Sequence, residues 1–422
     1  MMERPEQFGW TRTRPAPGRE GGGGSPGGRR ASPGAQGTIL IVTIWILLTL
    51  AGLVLVLARA MRVEGGCSAN GAAALQADAI EQGAIQYVLA HVDGLAGEAP
   101  ADADMPCEAV RVGDGAFWVL RPNFDDDRAC AYGLVDEASK LNLNTASARM
   151  LSMLPGVTPE LAAAIVDWRD ADSAVTPGGA EGEYYLLLSD PYQCKDAPLE
   201  TVEELLLVKD ATKGVLYGED ANRNGVLDPN EDDGVASDPP DNRDGRLDRG
   251  LGPFVTVYSS EPASSSTAGR PGGGGGSSGG TVSGRICVNT APREVLACLP
   301  GLEDADVSVL LAKRSDGATD LGGTAWVAQA LPPAKFAAIR YLITAKAYQF
   351  SADIVSVAGN GRAFQRCRIV VDARASPPKV VYRQDLTHLG WPLDEDILVK
   401  LRAGAGLDQV VSPAKLTNAS VP

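Results

Sequence analysis

Residues 38–58 read TILIVTIWILLTLAGLVLVLA, from Thr38 to Ala58, and no side chain from Ile39 to Ala58 carries a charge. About 20 apolar residues rising about 1.5 Å each match a hydrocarbon core of about 30 Å. Upstream, residues 1–37 are rich in Gly and Pro and carry Arg4, Arg12, Arg14, Arg19, Arg29 and Arg30. Such a leader holds too little apolar surface to fold, so 1–37 is expected to be disordered. Arginines beside an apolar helix keep that end in the cytoplasm. Residues 38–60 then read as a transmembrane helix, with everything after Met61 on the other side.

Three treatments of this segment compete. A secretory signal would be cut after small residues, and Ala58-Arg59-Ala60 has that form, but the apolar run exceeds the usual signal core of about 7 to 15 residues. A plain anchor would stay whole. A prepilin-type signal is cut on the cytoplasmic side, immediately before the apolar run, and Gly37–Thr38 fits that bond. Beyond the run, Ala73, Ala77, Ile80, Ala84, Tyr87 and Val88 recur at spacings of three and four, an amphipathic helical stripe. A membrane helix continuing as an amphipathic stem resembles the spine of a type IV pilin, which makes the prepilin-type cut the expected one. Gly65-Gly66 is expected to kink or fray that spine.

The 422 residues suffice for two or three domains, and a net charge of −15 opposes a general nucleic-acid role, which needs a basic footprint. Seven cysteines follow no metal spacing, and their odd number leaves at least one unpaired. Cys107–Cys130 and Cys287–Cys298 are nearest neighbours in sequence, but connectivity cannot be read from spacing. His91 and His388 are the only histidines, and no Ser/His/Asp arrangement stands out, so no catalytic site is expected.

The stem and first strands occupy 61–135, with strands at 116–120 and 130–135. A helical domain is expected over 136–340, with helical regions at 142–213 and 290–346, a strand at 254–259 and a flexible Ser/Gly/Pro insertion at 261–284. Residues 341–392 read as strands, since Phe350, Ala352 and Ile354 alternate, as do Cys367, Ile369 and Val371. Residues 393–422 read as a tail.

The helical domain repeats itself. Leu143-Asn144-Thr145-Ala146 returns as Val288-Asn289-Thr290-Ala291, Leu154-Pro155-Gly156 as Leu299-Pro300-Gly301, and Arg169 as Arg314, without a gap. Each copy reads as helix, Pro-Gly turn, helix. Thr158 is the expected N-cap and Pro159 the first helical residue, where a missing N–H costs nothing. Leu161, Ile165 and Trp168 form the apolar face, and Thr201-Val202-Glu203-Glu204 has capping-box spacing. These hairpins resemble helix-hairpin-helix units, which raises DNA binding or uptake as the alternative function. Against it, both turns lack the second glycine, Pro159 has no N–H, and Glu303, Asp304 and Asp306 would repel phosphate.

Asp220-Ala221-Asn222-Arg223-Asn224-Gly225-Val226-Leu227-Asp228-Pro229-Asn230-Glu231 matches a calcium loop. Side-chain oxygens from Asp220, Asn222, Asn224, Asp228 and Glu231 and the Val226 carbonyl fall at ligand positions, with the turn glycine at Gly225. Twenty residues on, Asn242, Asp244, Gly245, Leu247 and Asp248 repeat the spacing over 241–248, but Pro240 and Leu251 replace the first and last ligands. Asp241 is the candidate substitute in that degenerate loop, which otherwise reads as a solvated acidic turn. Asp170, Asp172 and Glu181 read as a hydrogen-bonded helix end rather than a further acidic site.

Asp136-Glu137-Ala138-Ser139-Lys140-Leu141-Asn142-Leu143-Asn144-Thr145-Ala146, then 167–172, Gly179-Ala180-Glu181 with Tyr184-Tyr185, 202–208 and 288–291 together resemble the type II secretion minor pseudopilin K family. The resemblance implies an α+β, type IV pilin-like fold: a long N-terminal helix on an antiparallel sheet, with a large inserted α-helical domain. It implies a non-enzymatic role at the pseudopilus tip in protein export. The implied partners are the I and J minor pseudopilins, the major pseudopilin, prepilin peptidase and the inner-membrane secretion platform. It also implies bound Ca2+ in the helical domain, carried over here only to the Asp220 loop. Most pilins have a glutamate five residues after the cut. Here that residue is Val42, and the family usually lacks it, as suits a subunit with none above it.

Overall fold

The computed structural model describes residues 35–236, 239–263, 281–411 and 417–418. Most of the leader 1–37 and of the insertion 261–284 therefore lies outside the described residues. The chain divides into two compact units after Gly66.

Helix α1 is assigned over Ala35–Val92, through Gly65-Gly66, so the expected interruption there is not an end of helix. It starts three residues before Thr38, because Ala35 and Gln36 already tolerate helical geometry. In the first unit the apolar side chains from Ile39 to Leu57 are exposed, and the segment is long and apolar enough to cross a membrane. No charged side chain interrupts this stretch.

In the second unit α1 buries one stripe, Ala73, Ala77, Ile80, Ala84, Tyr87, Val88 and Val92, the three-and-four spacing of the sequence. Its partner is a sheet whose path is β5-β4-β3-β2-β1-β6, where β1 is Val110–Val112, β2 Gly115–Arg121, β3 Gln349–Val357, β4 Phe364–Asp372, β5 Lys379–Asp385 and β6 Thr417–Asn418. All neighbours are antiparallel except β1 and β6. Period-two alternation sorts the two faces. Phe117, Val119, Phe350, Ala352, Ile354, Cys367, Ile369 and Val371 meet the helix. Ala116, Trp118, Leu120, Val355 and Val357 face the other way. Gly115 sits where a Cβ would come within 2.4 Å of Ile80 Cδ1, so helix and strand touch there because glycine is present.

The opposite face is covered by residues read as a tail. Helices Glu395–Arg402 and Leu407–Val410 place Leu398, Leu401, Leu407 and Val411 on Trp118, Val355 and Val357. The signal was present: Ile397, Leu398 and Leu401 already have helical spacing.

Residues 137–346 stand in chain order between the first strands and β3 and have their own core. The expected long helical regions are short helices, the longest being Pro159–Arg169 and Asp304–Arg314, because Gly and Pro recur between them. The two repeats have the same build. Leu141–Asn142 pairs in parallel with Val255–Thr256, and Ile286–Cys287 with Ile343–Thr344. After each short strand the asparagine holds a distant backbone: Asn144 bonds Leu199 N and O at 2.8 and 2.9 Å, and Asn289 bonds Leu321 O at 2.8 Å and the Trp326 indole at 3.1 Å. Arg169 then donates to Leu143 O and Ala146 O, and Arg314 to Val288 O and Ala291 O. The arginine closing each hairpin thus staples its asparagine loop. Gly156 and Gly301 turn with φ of +73° and +79°, which only glycine adopts without strain.

Thr158 caps Leu161 N at 3.1 Å with Pro159 at the first position, as expected. The capping box at Thr201 does not form: residues Val202–Leu207 make a tight 3-10 helix without a side-chain cap. Glu204 is taken by Lys195 Nζ at 2.8 Å and Glu200 N at 3.0 Å, so it cannot reach back. The strand expected at 254–259 is reduced to Val255–Thr256. No disulfide joins any of the seven cysteines.

Candidate functional site

The loop 220–231 is a ring of carboxylates and amides closed by its own backbone. Asp220, at its start, accepts from Asn224 N at 3.0 Å and Gly225 N at 2.9 Å. Asn222 Oδ1 accepts from Asn224 N at 2.9 Å, and Asn224 Oδ1 from Val226 N at 2.7 Å. Glu231, at its end, reaches back to Ala221 N at 2.9 Å and Asp228 N at 3.1 Å. Both amides, Asn222 and Asn224, also contact Asp228 Oδ2, at 2.6 and 3.1 Å. The chain can turn this tightly because Arg223 and Gly225 both have positive φ, +57° and +74°.

The six predicted positions, Asp220, Asn222, Asn224, Val226, Asp228 and Glu231, lie in one turn held by its own hydrogen bonds, but its three carboxylates are not among the groups of described residues whose ligating atoms lie within 4.8 Å of one another. Asp220 and Glu231 are buried. Burial pushes the Glu231 carboxyl up to about 7, helped by the charges of Asp220 and Asp228, and burial raises Asp220 as well. Buried carboxylates whose charged form is disfavoured are what a bound cation would relieve. The donor set is all oxygen, which suits a hard divalent ion. The residues present fit calcium.

The second loop repeats this geometry with donors borrowed from outside it. Arg243 and Gly245 again have positive φ, and Asn242 Oδ1 again accepts two residues on, from Asp244 N at 2.8 Å. Asp241, the candidate for the missing first ligand, is held by backbone amides, as Asp220 is in the first loop. Its carboxylate is occupied by Asp233 N, Gly234 N and Arg243 N, at 2.9, 2.6 and 2.7 Å. Asp232 instead accepts from Gly245 N at 3.3 Å, as Asp220 does from Gly225 N in the first loop. Glu219 accepts from Asn242 N at 3.2 Å and Asp248 N at 3.3 Å, spanning the second loop as Glu231 spans the first. Glu219 and Asp232 immediately flank the first loop, a relation no spacing rule within the second loop could reveal.

A third acidic group departs from the expected helix end. Asp172 does bond a backbone, Ala174 N at 2.8 Å. Glu181 precedes helix Gly182–Leu186 but makes no side-chain cap, and among the described residues its Oε1 and Asp170 Oδ1 are buried without a hydrogen-bond partner. Burial raises both carboxyls, and the surrounding aspartates raise them further. Metal-ligating atoms of Asp170, Asp172 and Glu181 lie within 4.8 Å of one another, so this group too can accept a cation.

At the junction of the two repeats, Asp136 caps Ala138 N at 2.7 Å and accepts the Thr290 hydroxyl at 2.5 Å. Burial pushes its carboxyl up to about 6 despite those bonds. The two asparagine motifs are thus tied through one buried acid.

The hairpin turns are closed by the protein's own caps. The Leu161 amide is already capped by Thr158, Glu303 and Asp306 form a reciprocal capping box, and Arg293 is paired with Asp304 at 2.7 Å.

Taken together, these features define a mixed helix-and-sheet protein with one N-terminal apolar helix, a candidate membrane anchor, and a repeated helical segment bearing acidic loops. Residues 134–217 match the family model of the Type II secretion system (T2SS), protein K, and the recognition made from the sequence holds: the chain carries the protein K domain of type II secretion. Among solved structures there is a likeness to the crystal structure of the GspK-GspI-GspJ complex from the enterotoxigenic Escherichia coli type 2 secretion system. Identity is 14%, the TM-score is 0.45, and the match covers 77% of this chain and 98% of that one. None of the curated proteins compared matches the chain.

Proposed function

We propose that this chain is a minor pseudopilin at the tip of a type II secretion pseudopilus, with a structural role in export across the outer membrane. The observation that carries the reading is the protein K domain at 134–217 standing behind an apolar helix whose continuation packs on an antiparallel sheet. In this reading the sheet and helix α1 are a type IV pilin-like fold, and 136–340 is its inserted helical domain. The chain crosses the inner membrane once, with its N-terminus cytoplasmic and its bulk periplasmic. Prepilin peptidase cuts Gly37–Thr38, and the subunit then joins I- and J-type minor pseudopilins above the major pseudopilin and the secretion platform. The role is non-enzymatic, and nucleic acid is not a partner.

Mass spectrometry of the membrane-extracted protein is expected to find Thr38 at the mature N-terminus, and affinity capture is expected to retrieve the I- and J-type subunits. A mature N-terminus at Met61, or capture without either subunit, would remove the proposal.

We propose further that Asp220, Asn222, Asn224, Asp228 and Glu231, with the Val226 carbonyl, hold Ca2+. When bound, the ion supplies charge compensation for the buried carboxylates and a fixed loop conformation. Modules of this kind in calcium-rich compartments have Kd near 0.1 to 1 mM, about, so tenfold excess calcium stabilises the fold by roughly 1.4 kcal/mol. Asp220→Ala with Glu231→Ala is expected to abolish the calcium-dependent rise in melting temperature of the detergent-solubilised full chain. An undiminished rise in the double variant would place the ion elsewhere.

A further inference from the structure

Arg366 is a fully buried cation in strand β4, on the sheet face away from helix α1, and the mechanism of sheet packing alone does not require it. Its guanidinium has two sets of partners. On one side it forks onto Asp353 of β3, Nε to Oδ1 at 3.0 Å and Nη2 to Oδ2 at 2.8 Å. On the other it donates to two consecutive loop carbonyls, Nη1 to Asn222 O at 2.6 Å and Nη2 to Arg223 O at 2.7 Å. Those carbonyls belong to the third and fourth residues of the 220–231 loop, at the start of its tight turn. The same loop is fastened at two further points: Asn224 Nδ2 to Pro392 O at 3.1 Å, and Leu227 N to Asp127 O at 2.6 Å.

We propose that Arg366 and Asp353 are the positioning pair of the calcium loop, so that ion binding and docking of 220–231 onto the sheet are a single event. The proposal rests on the calcium reading given above. Arg366 binds main-chain carbonyl oxygens of the loop and none of its proposed side-chain ligands. A lone buried cation near the site would repel calcium, and Asp353 offsets part of that charge across a bidentate contact that it shares with Arg368. What remains is orientation. The planar fork fixes two adjacent peptide units at once, which a flexible ammonium cannot do. Arg366 thereby acts on the ion through the loop backbone, as outer partners do in metal sites generally, where their loss costs about 10- to 100-fold in affinity.

The test is calorimetric titration of calcium chloride into the detergent-solubilised full chain and its Arg366→Lys variant. Lysine keeps the charge and the ion pair with Asp353 but cannot hold both carbonyls. Calcium Kd is expected to weaken about tenfold or more, while the melting temperature in chelator shows that the variant is folded. An unchanged Kd in a folded variant overturns the pairing and leaves the calcium site standing. Wild-type chain that binds no calcium overturns both. A second measurement needs no variant. Hydrogen exchange of the wild-type chain with and without calcium is expected to show protection in Phe364–Asp372 and Gln349–Val357 as well as in the loop. Protection confined to 218–250 would mean that the loop binds its ion without engaging the sheet, and would overturn the inference by itself.

Discussion

Replacing Asp353 with alanine is expected to destabilise the full chain by about 3 to 5 kcal/mol, the cost of stranding a buried charge. Asp353 serves two arginines, the fully buried Arg366 at 2.8 Å and the partly exposed Arg368 at 3.0 Å. Removing it leaves Arg366 in the sheet with only the two loop carbonyls. Replacing Arg366 should cost less, since Asp353 keeps Arg368. The pH dependence follows from the same geometry. Burial acts to raise the Asp353 carboxyl, but Arg366 and then Arg368 overcome it, so the net shift is downward. A group whose folded pKa is depressed contributes stability above its unfolded pKa of about 3.9, and loses it as pH falls toward the folded value. Chemical denaturation of wild type and Asp353→Ala should therefore differ most at neutral pH and converge under strong acid. Equal stabilities at pH 7 would show that the pair contributes nothing net.

Trp168→Ala is expected to cost about 3 to 5 kcal/mol as well, by a different mechanism, loss of apolar packing in the helical core. Trp168 ends the helix Pro159–Arg169 and is buried against Tyr185 and Tyr192, with ring centroids 5.0 and 6.2 Å away and edge-to-face angles of 76° and 73°. Those tyrosines belong to the segment 182–192, which has no long helix of its own to hold it. Trp168→Phe keeps part of the edge-to-face contact and should recover a substantial share of the loss. The readout is urea denaturation followed by far-UV circular dichroism. A loss under about 1 kcal/mol would mean that the site collapses around the missing ring.

The parts of the molecule that were legible in the sequence are those in which function and fold use local spacing. The tight acidic turn at 220–231 could be read because its acidic and amide residues lie within twelve residues of one another. The strands β3 and β4 could be read because alternation survives wherever one face differs from the other. The repeat could be read because the same arginine closes each copy, and the structure gives Arg169 and Arg314 the same two carbonyl partners in each.

What was missed depends on partners distant in sequence. The capping box at Thr201 had the right spacing, but Lys195 had already engaged Glu204. Glu219 and Asp232 serve the second loop from outside it, where no spacing within that loop could show them. Arg366 looked like one polar residue in an alternating strand. Its role depends on carbonyls 143 and 144 residues away along the chain. The reading of 393–422 as a tail gave too little weight to a short apolar period near the end of the chain, where Leu398 and Leu401 close the second face of the sheet.

The short hairpin Ser260–Pro262 with Thr281–Ser283 has a practical meaning for anyone who wants to watch this subunit at work. Two ends already held side by side make the length between them nearly free: doubling a flexible loop costs only about 0.6 kcal/mol in closure entropy. Glu261 on one side is further anchored by Arg285 at 2.7 Å and by the Thr344 hydroxyl at 2.9 Å. A fluorescent protein or an epitope tag grafted between these ends would leave the N-terminal apolar helix, the sheet and the acidic loops untouched. Here the chain provides a built-in port for a label.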